Sequence, residues 1–194
     1  MVRIKLKISL MIFGILLLSL YFCINPLYID FQGRVLIKSN ELNKKYIKLS
    51  DILPIGKGQL SAYLILDSEE RNKIPNNIAH CKILYTDDTT IVKKLLNLRF
   101  LNTQGDMCTD NSRLVICENS NKIFTTYIIL EDKIMGLQSN VTGWIEPTDK
   151  ESFCDIFKNF RRYNYPLLIK LILLYHLRFI KNVLESCSRI RNEL

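Results

Sequence analysis

Hydrophobic and polar positions follow three different rules along the chain. Residues 8–24 (ISLMIFGILLLSLYFCI) contain no charge in 17 positions, so a helix there has no polar face to turn toward water. From residue 26 to about 163 the apolar runs are short and broken by turn residues. Beyond Pro166 a second apolar stretch, 167–184 (LLIKLILLYHLRFIKNVL), is interrupted at helical spacing by charge. Lys170, Arg178, Lys181 and Glu185 fall within an arc of about 80° at 100° per residue, opposite a wide apolar face.

In the middle region, residues 34–38, 59–66 (QLSAYLIL) and 81–86 (CKILYT) read as strands bounded by Gly, Pro, Asn or Asp. Thr89 and Thr90 are placed to cap a helix with an apolar face of Ile91, Val92, Leu95, Leu96 and Leu98. Residues 101–112 then read as a loop. Residues 113–117 (RLVIC) and 123–130 (IFTTYIIL), separated by the polar residues 118–122, predict a β-hairpin with a turn of four or five residues. Residues 133–147 read as a second polar, Gly-containing loop. Thr148 and Glu151 have capping-box spacing ahead of a helix that presents Phe153, Ile156, Phe157 and Phe160 on one face.

Strands, helix, hairpin and helix in that order predict an α+β fold: a small, mainly antiparallel sheet domain with two packed helices. The expected organisation is a signal anchor forming a transmembrane helix (1–25), the α+β domain (26–163), and an amphipathic, basic C-terminal helix and tail (164–194). The anchor follows from the limits of the alternatives. Seventeen uncharged residues exceed the apolar core of most cleavable signals and reach the lower bound of a spanning helix. Cleavage after Cys23 would place Tyr21 where a small residue is wanted, and Phe22 spoils Cys23 as a lipid-modification site.

Charge sharpens this picture. The net charge of +8 suggests nucleic acid or an anionic membrane as partner. Its distribution decides for the membrane: three basic and no acidic residues in 1–25, sixteen against fifteen in 26–150, eight against four in 151–194. The excess flanks the two apolar stretches, and no nucleic-acid partner is expected. Arg3, Lys5 and Lys7 ahead of residues 8–24 put the amino terminus in the cytoplasm and the main domain outside it, periplasmic or extracellular. Lys170, Arg178 and Lys181 are then expected at the membrane interface, with Lys170 and Arg178 opposing a second span.

Export changes the reading of cysteine. Cys81, Cys108, Cys117 and Cys154 become disulfide candidates with three possible pairings. No C-x-x-C pair occurs, so no metal or cofactor is expected. Catalytic motifs are equally absent: there is no phosphate-binding glycine loop, no G-x-S-x-G and no H-E-x-x-H. His80 and Cys81 are adjacent in sequence, and adjacent strand residues point to opposite faces. Asp87, Asp88 and Asp106, with His80, are the acids and base a membrane-bound hydrolase or metal-dependent enzyme would need to gather in one place.

Two loops carry residues unusual for connectors: 103–112, with Asp106 and Asp110, and 136–144, with Gln138 and the sole tryptophan, Trp144. Trp144, Gln138, Asp106 and Asp110 form the candidate interface, since binding residues concentrate on loops carried by a rigid scaffold. The expected function is that of a membrane-anchored extracytoplasmic interaction protein without catalytic activity. It would act through its loops on another envelope protein, in an assembly or inhibitor role, with the enzyme as the alternative.

Overall fold

In a computed structural model of the chain, the described residues form one sheet of nine strands in the order β1-β4-β8-β7-β6-β5-β2-β3-β9. The structure describes residues 2–24, 29, 31–33, 37, 42–106, 111–131 and 134–164. The chain divides into two units, and the sheet belongs to the one running from Ile29 to Tyr163. Its strands are β1 (Tyr46–Lys48), β2 (Leu60–Ile65), β3 (Ile83–Thr86), β4 (Arg99–Gly105), β5 (Arg113–Glu118), β6 (Asn121–Leu130), β7 (Met135–Ser139), β8 (Gly143–Pro147) and β9 (Arg161–Arg162). Every neighbouring pair is antiparallel. The domain is thus α+β with an antiparallel sheet.

The helices are α1 (Val2–Ile24), α2 (Leu49–Ile52), α3 (Thr89–Asn97) and α4 (Lys150–Lys158), with a short 3-10 turn at Glu70–Asn72. Strand residues of one parity pack against α2, α3 and α4. Leu60, Ala62, Leu64, Leu84, Leu114, Ile116, Phe124, Leu137 and Ile145 share one core with Leu49, Ile52, Val92, Leu95, Leu96, Phe153 and Phe157. An edge-to-face series runs through that core, with centroids 5.9 Å apart for Phe100–Phe153 and 5.1 Å for Phe153–Phe157. The apolar face expected for α4 is therefore the one it buries.

The local signals for α3 and α4 work one residue away from where the sequence suggests. Asp88, not Thr89 or Thr90, caps α3, its carboxylate accepting from Thr90 N–H at 2.8 Å. At α4 the cap is Asp149, which accepts from Ser152 N–H at 3.0 Å, while the Thr148 hydroxyl donates to the Arg99 carbonyl at 3.0 Å. The expected capping box is corrected accordingly: Thr148 is held by β4 and leaves its neighbour to cap. The β5–β6 turn is also tighter than expected. Asn119 (φ 49°) and Ser120 (φ 65°) make a two-residue turn in the left-handed region, which suits the twist of a hairpin.

Two stretches read as loops are strands. Residues 101–105 extend β4, and residues 135–147 form the β7–β8 hairpin. Gly136 conceals this hairpin in the sequence and is required by it in space. A Cβ there would lie 2.5 Å from both the Ile145 carbonyl oxygen and the Trp144 ring, so only glycine lets the indole lie across β7.

Within α1 the described side chains begin at Ile8. Among the described residues no helix is long and apolar enough to cross a membrane. The uncharged run of 17 residues spans only about 26 Å, against roughly 30 Å of hydrocarbon. The transmembrane helix expected there is therefore not supported by the described residues. The strand expected at 34–38 and the amphipathic helix with Lys170, Arg178 and Lys181 lie outside the described residues, Ile37 excepted.

Candidate functional site

Strand residues of the other parity face away from α2, α3 and α4, and registry carries them into one continuous row. Ile83 opposes Ile65, Ile65 opposes Arg113, Arg113 opposes Tyr127, Tyr127 opposes Gln138, and Gln138 opposes Trp144. None of these residues belongs to the helix-side core. Cross-strand neighbours on one face interact directly, and here the recurring pair is a guanidinium on a phenol. Arg113 lies 5.3 Å from the Tyr127 centroid, Arg99 3.9 Å from Tyr46, and Arg161 4.7 Å from Tyr85. Each pair offers both a fixed positive charge and aromatic area.

Beside the central pair is a hollow of about 290 Å³, lined by Ile37, Arg113, Thr125, Tyr127, Gln138 and Asn140 among others. Its chemistry is one cation, one phenol, two amides and the hydroxyls of Thr125, Thr126 and Ser139 over an apolar margin. It can take a hydrogen-bonding, anionic or aromatic group from a partner, and it contains no general base.

Toward β3 the same face carries an aromatic cluster. Tyr63 stacks on Tyr85 at 6.0 Å and meets Phe31 at 5.0 Å and Tyr163 at 5.5 Å, while Tyr85 and Tyr163 are 5.1 Å apart. Desolvation raises the pKa of Tyr63. Burial likewise pushes the Cys117 thiol up to about 11, with Lys122 opposing the shift. Both groups therefore stay protonated near neutral pH, and Cys117 is no thiolate nucleophile.

The residues singled out in the sequence do not form one loop site. Trp144 is only 2% exposed and its indole N–H donates to Glu146 at 2.8 Å. It offers no free surface; it braces the β7–β8 hairpin over Gly136. Gln138 donates to the Asp106 carboxylate, joining β7 to the end of β4. That contact brings two of the four candidates together, at the margin of the hollow. Asp110 lies outside the described residues. Arg113, Tyr127 and Tyr63 were not singled out, since each reads locally as an ordinary strand residue and gains its neighbours only through registry.

The cysteines are likewise distributed by face. Cys81 and Cys154 pack with the helix-side core, the Cys154 thiol donating to the Met135 sulfur at 3.4 Å, whereas Cys117 lies on the opposite face. No disulfide joins these three, and the intervening sheet separates Cys117 from the other two. Cys108 lies outside the described residues.

The acids needed for the enzyme alternative are dispersed. Asp87 binds Arg161 through both oxygens, at 2.9 and 3.0 Å, and Asp88 caps α3. Asp106 follows β4, which five strands separate from β3 in the sheet. His80 is exposed. A groove of about 920 Å³ between α3 and α4 includes Asp88 and Asp155, but Asp155 pairs with Lys158. Among the described residues no three His, Cys, Asp or Glu side chains are grouped so as to hold a metal ion. Comparison with family models, curated proteins and solved structures finds no match for the chain.

Proposed function

We propose that this protein is a membrane-anchored, non-catalytic binding protein whose α+β domain works outside the cytoplasm on another envelope protein. The observation that carries the binding role is the sheet face opposite α2, α3 and α4, where Arg113, Tyr127 and Gln138 border a hollow of about 290 Å³. A face built of fixed guanidinium–phenol pairs suits recognition, because Arg and Tyr supply contact area and directional bonding at low entropic cost. The interface thus moves from the Trp144 loop to the sheet, with Gln138 and Asp106 at its edge. Dispersed acids and protonated Tyr63 and Cys117 argue against the hydrolase.

The anchor reading draws on α1. Its apolar side chains from Ile8 to Tyr21 are exposed on every side, Met11 at 69% and Leu10 at 62% among them. Such a helix needs an apolar surround. A span at the lower length limit is accommodated by local bilayer thinning and by flanking cations that reach the interface. Arg3, Lys5 and Lys7 orient the amino terminus inward.

Affinity capture from membranes tests the binding role. A partner is expected to co-purify with the wild type and to be lost with Arg113→Glu, while Lys93→Glu on the helix side retains it. Equal recovery with both variants at unchanged thermal stability would overturn the assignment of this face. Resistance of the chain to alkaline carbonate extraction tests the anchor separately, and complete release would remove it.

A further inference from the structure

We infer that the sheet patch formed by Phe31, Tyr63, Tyr85 and Tyr163 with Arg161 and Lys122 docks the domain on an anionic lipid surface. The inference rests on the membrane-anchored reading above and adds to it a defined contact surface on the domain. Its foundation is where the two chain ends of the domain emerge.

The domain begins at Ile29 and ends at Tyr163. Two residues after its start, Phe31 packs on Tyr63 at 5.0 Å; at its last residue, Tyr163 packs on the same ring at 5.5 Å. Backbone bonds hold both ends in place. Lys122 N–H donates to the Gln32 carbonyl at 2.6 Å, and Tyr163 N–H donates to the Ile83 carbonyl at 3.0 Å. Gly33, at φ 120°, lets the incoming chain lie against Lys122, where a Cβ would come 2.5 Å from the carbonyl oxygen. Both ends therefore leave the domain from one aromatic patch.

Chain length then limits how far lipid can be. The uncharged run ends at residue 24, five positions before Ile29, and the second apolar stretch begins at residue 167, four positions after Tyr163. Fully extended, those links reach at most about 18 and 14 Å. If either flank enters a membrane, the patch is the part of the domain held nearest to it.

The composition suits that position. Tyrosine rings have an apolar body and a polar tip, the character that concentrates them at bilayer interfaces. Tyr63, Tyr85, Tyr163 and Phe31 are all partly exposed. Arg161, stacked on Tyr85, lies on the edge strand, and Lys122 lies beside the incoming chain. The patch acid Asp87 is engaged by Arg161. The Arg161–Asp87 pair is net neutral, so Lys122 gives the margin of the aromatic centre its positive charge, complementary to anionic headgroups.

The test uses the full chain in vesicles of phosphatidylcholine, with or without one-third phosphatidylglycerol, containing a lipid with a photoreactive headgroup. Crosslinks are expected on peptides containing Tyr63, Tyr85 and Tyr163 and not on those from α3. Their yield should rise severalfold with phosphatidylglycerol, and Arg161→Glu should reduce it by about fivefold or more. Lys122→Glu should act in the same direction without breaking the Arg161–Asp87 pair, which covers the case in which the arginine variant loses its fold.

Equal labelling of the patch and α3, or an unlabelled patch on a chain that still floats with the vesicles, would overturn the docking surface and leave the anchor standing. A chain that floats with neither vesicle composition would overturn the anchored reading and the docking surface with it.

Discussion

The two faces of the sheet come from the same strands and differ only in residue parity, yet they do different work. On the helix side, Leu60, Leu64, Leu114, Ile116, Phe124 and Ile145 are at most 1% exposed and close on the aromatic face of α4. On the other side, Arg113, Tyr127, Tyr63 and Tyr85 remain partly open, and their contacts run laterally from strand to strand. One face holds the fold by excluding water. The other keeps polar and aromatic groups available because no described helix among α2, α3 and α4 covers it.

The division should be visible in stability. Phe157→Ala on the helix side removes a fully buried ring and is expected to cost about 3–5 kcal/mol, measured by urea denaturation. A loss as small as that of a surface substitution would break the distinction between the faces. Gly136→Ala on the other side should cost about 1–3 kcal/mol, since the added methyl must displace the indole or the β8 backbone. Its signature is a red-shifted Trp144 emission in the folded protein, and an unchanged spectrum would show that the indole is not braced there.

Asp88→Ala should cost about 1 kcal/mol by removing the α3 cap, whereas Thr89→Ala should leave stability nearly unchanged. The reverse order would return the cap to threonine. The last test concerns the pH dependence of Cys117. Its folded pKa is raised to about 11, so its contribution is fully present below the unfolded thiol pKa of about 8.5 and is lost as pH rises through 11. Wild type should lose clearly more stability than Cys117→Ala between pH 8.5 and 11, and parallel curves would remove the buried-thiol assignment.

Much of the helix-side architecture is legible in the sequence, and the reason is local. The apolar faces of α3 and α4, the strands β2 and β3, and the β5–β6 hairpin repeat at helical or alternating spacing within single segments. The β7–β8 hairpin is hidden because Gly136, Ser139 and Pro147 imitate a loop. Edge strands of two or three residues, β1 and β9, are too short to show a period. For the same reason the site was less legible than the fold. Trp144 attracted notice by its rarity, whereas Arg113 with Tyr127, and Phe31 with Tyr63 and Tyr163, are separated by up to 132 positions in the chain.

Sequence alone established the α+β class, the helix faces and the placement of positive charge beside two apolar stretches, because these depend on composition and short-range periodicity. Tertiary structure alone decided which strand neighbours which, that Trp144 is a brace, and that Cys117 is separated by the sheet from Cys81 and Cys154. It also brought both ends of the sheet domain to Tyr63. Antiparallel registry made these decisions: one residue of slip turns a side chain to the opposite face, and registry depends on pairings between distant segments.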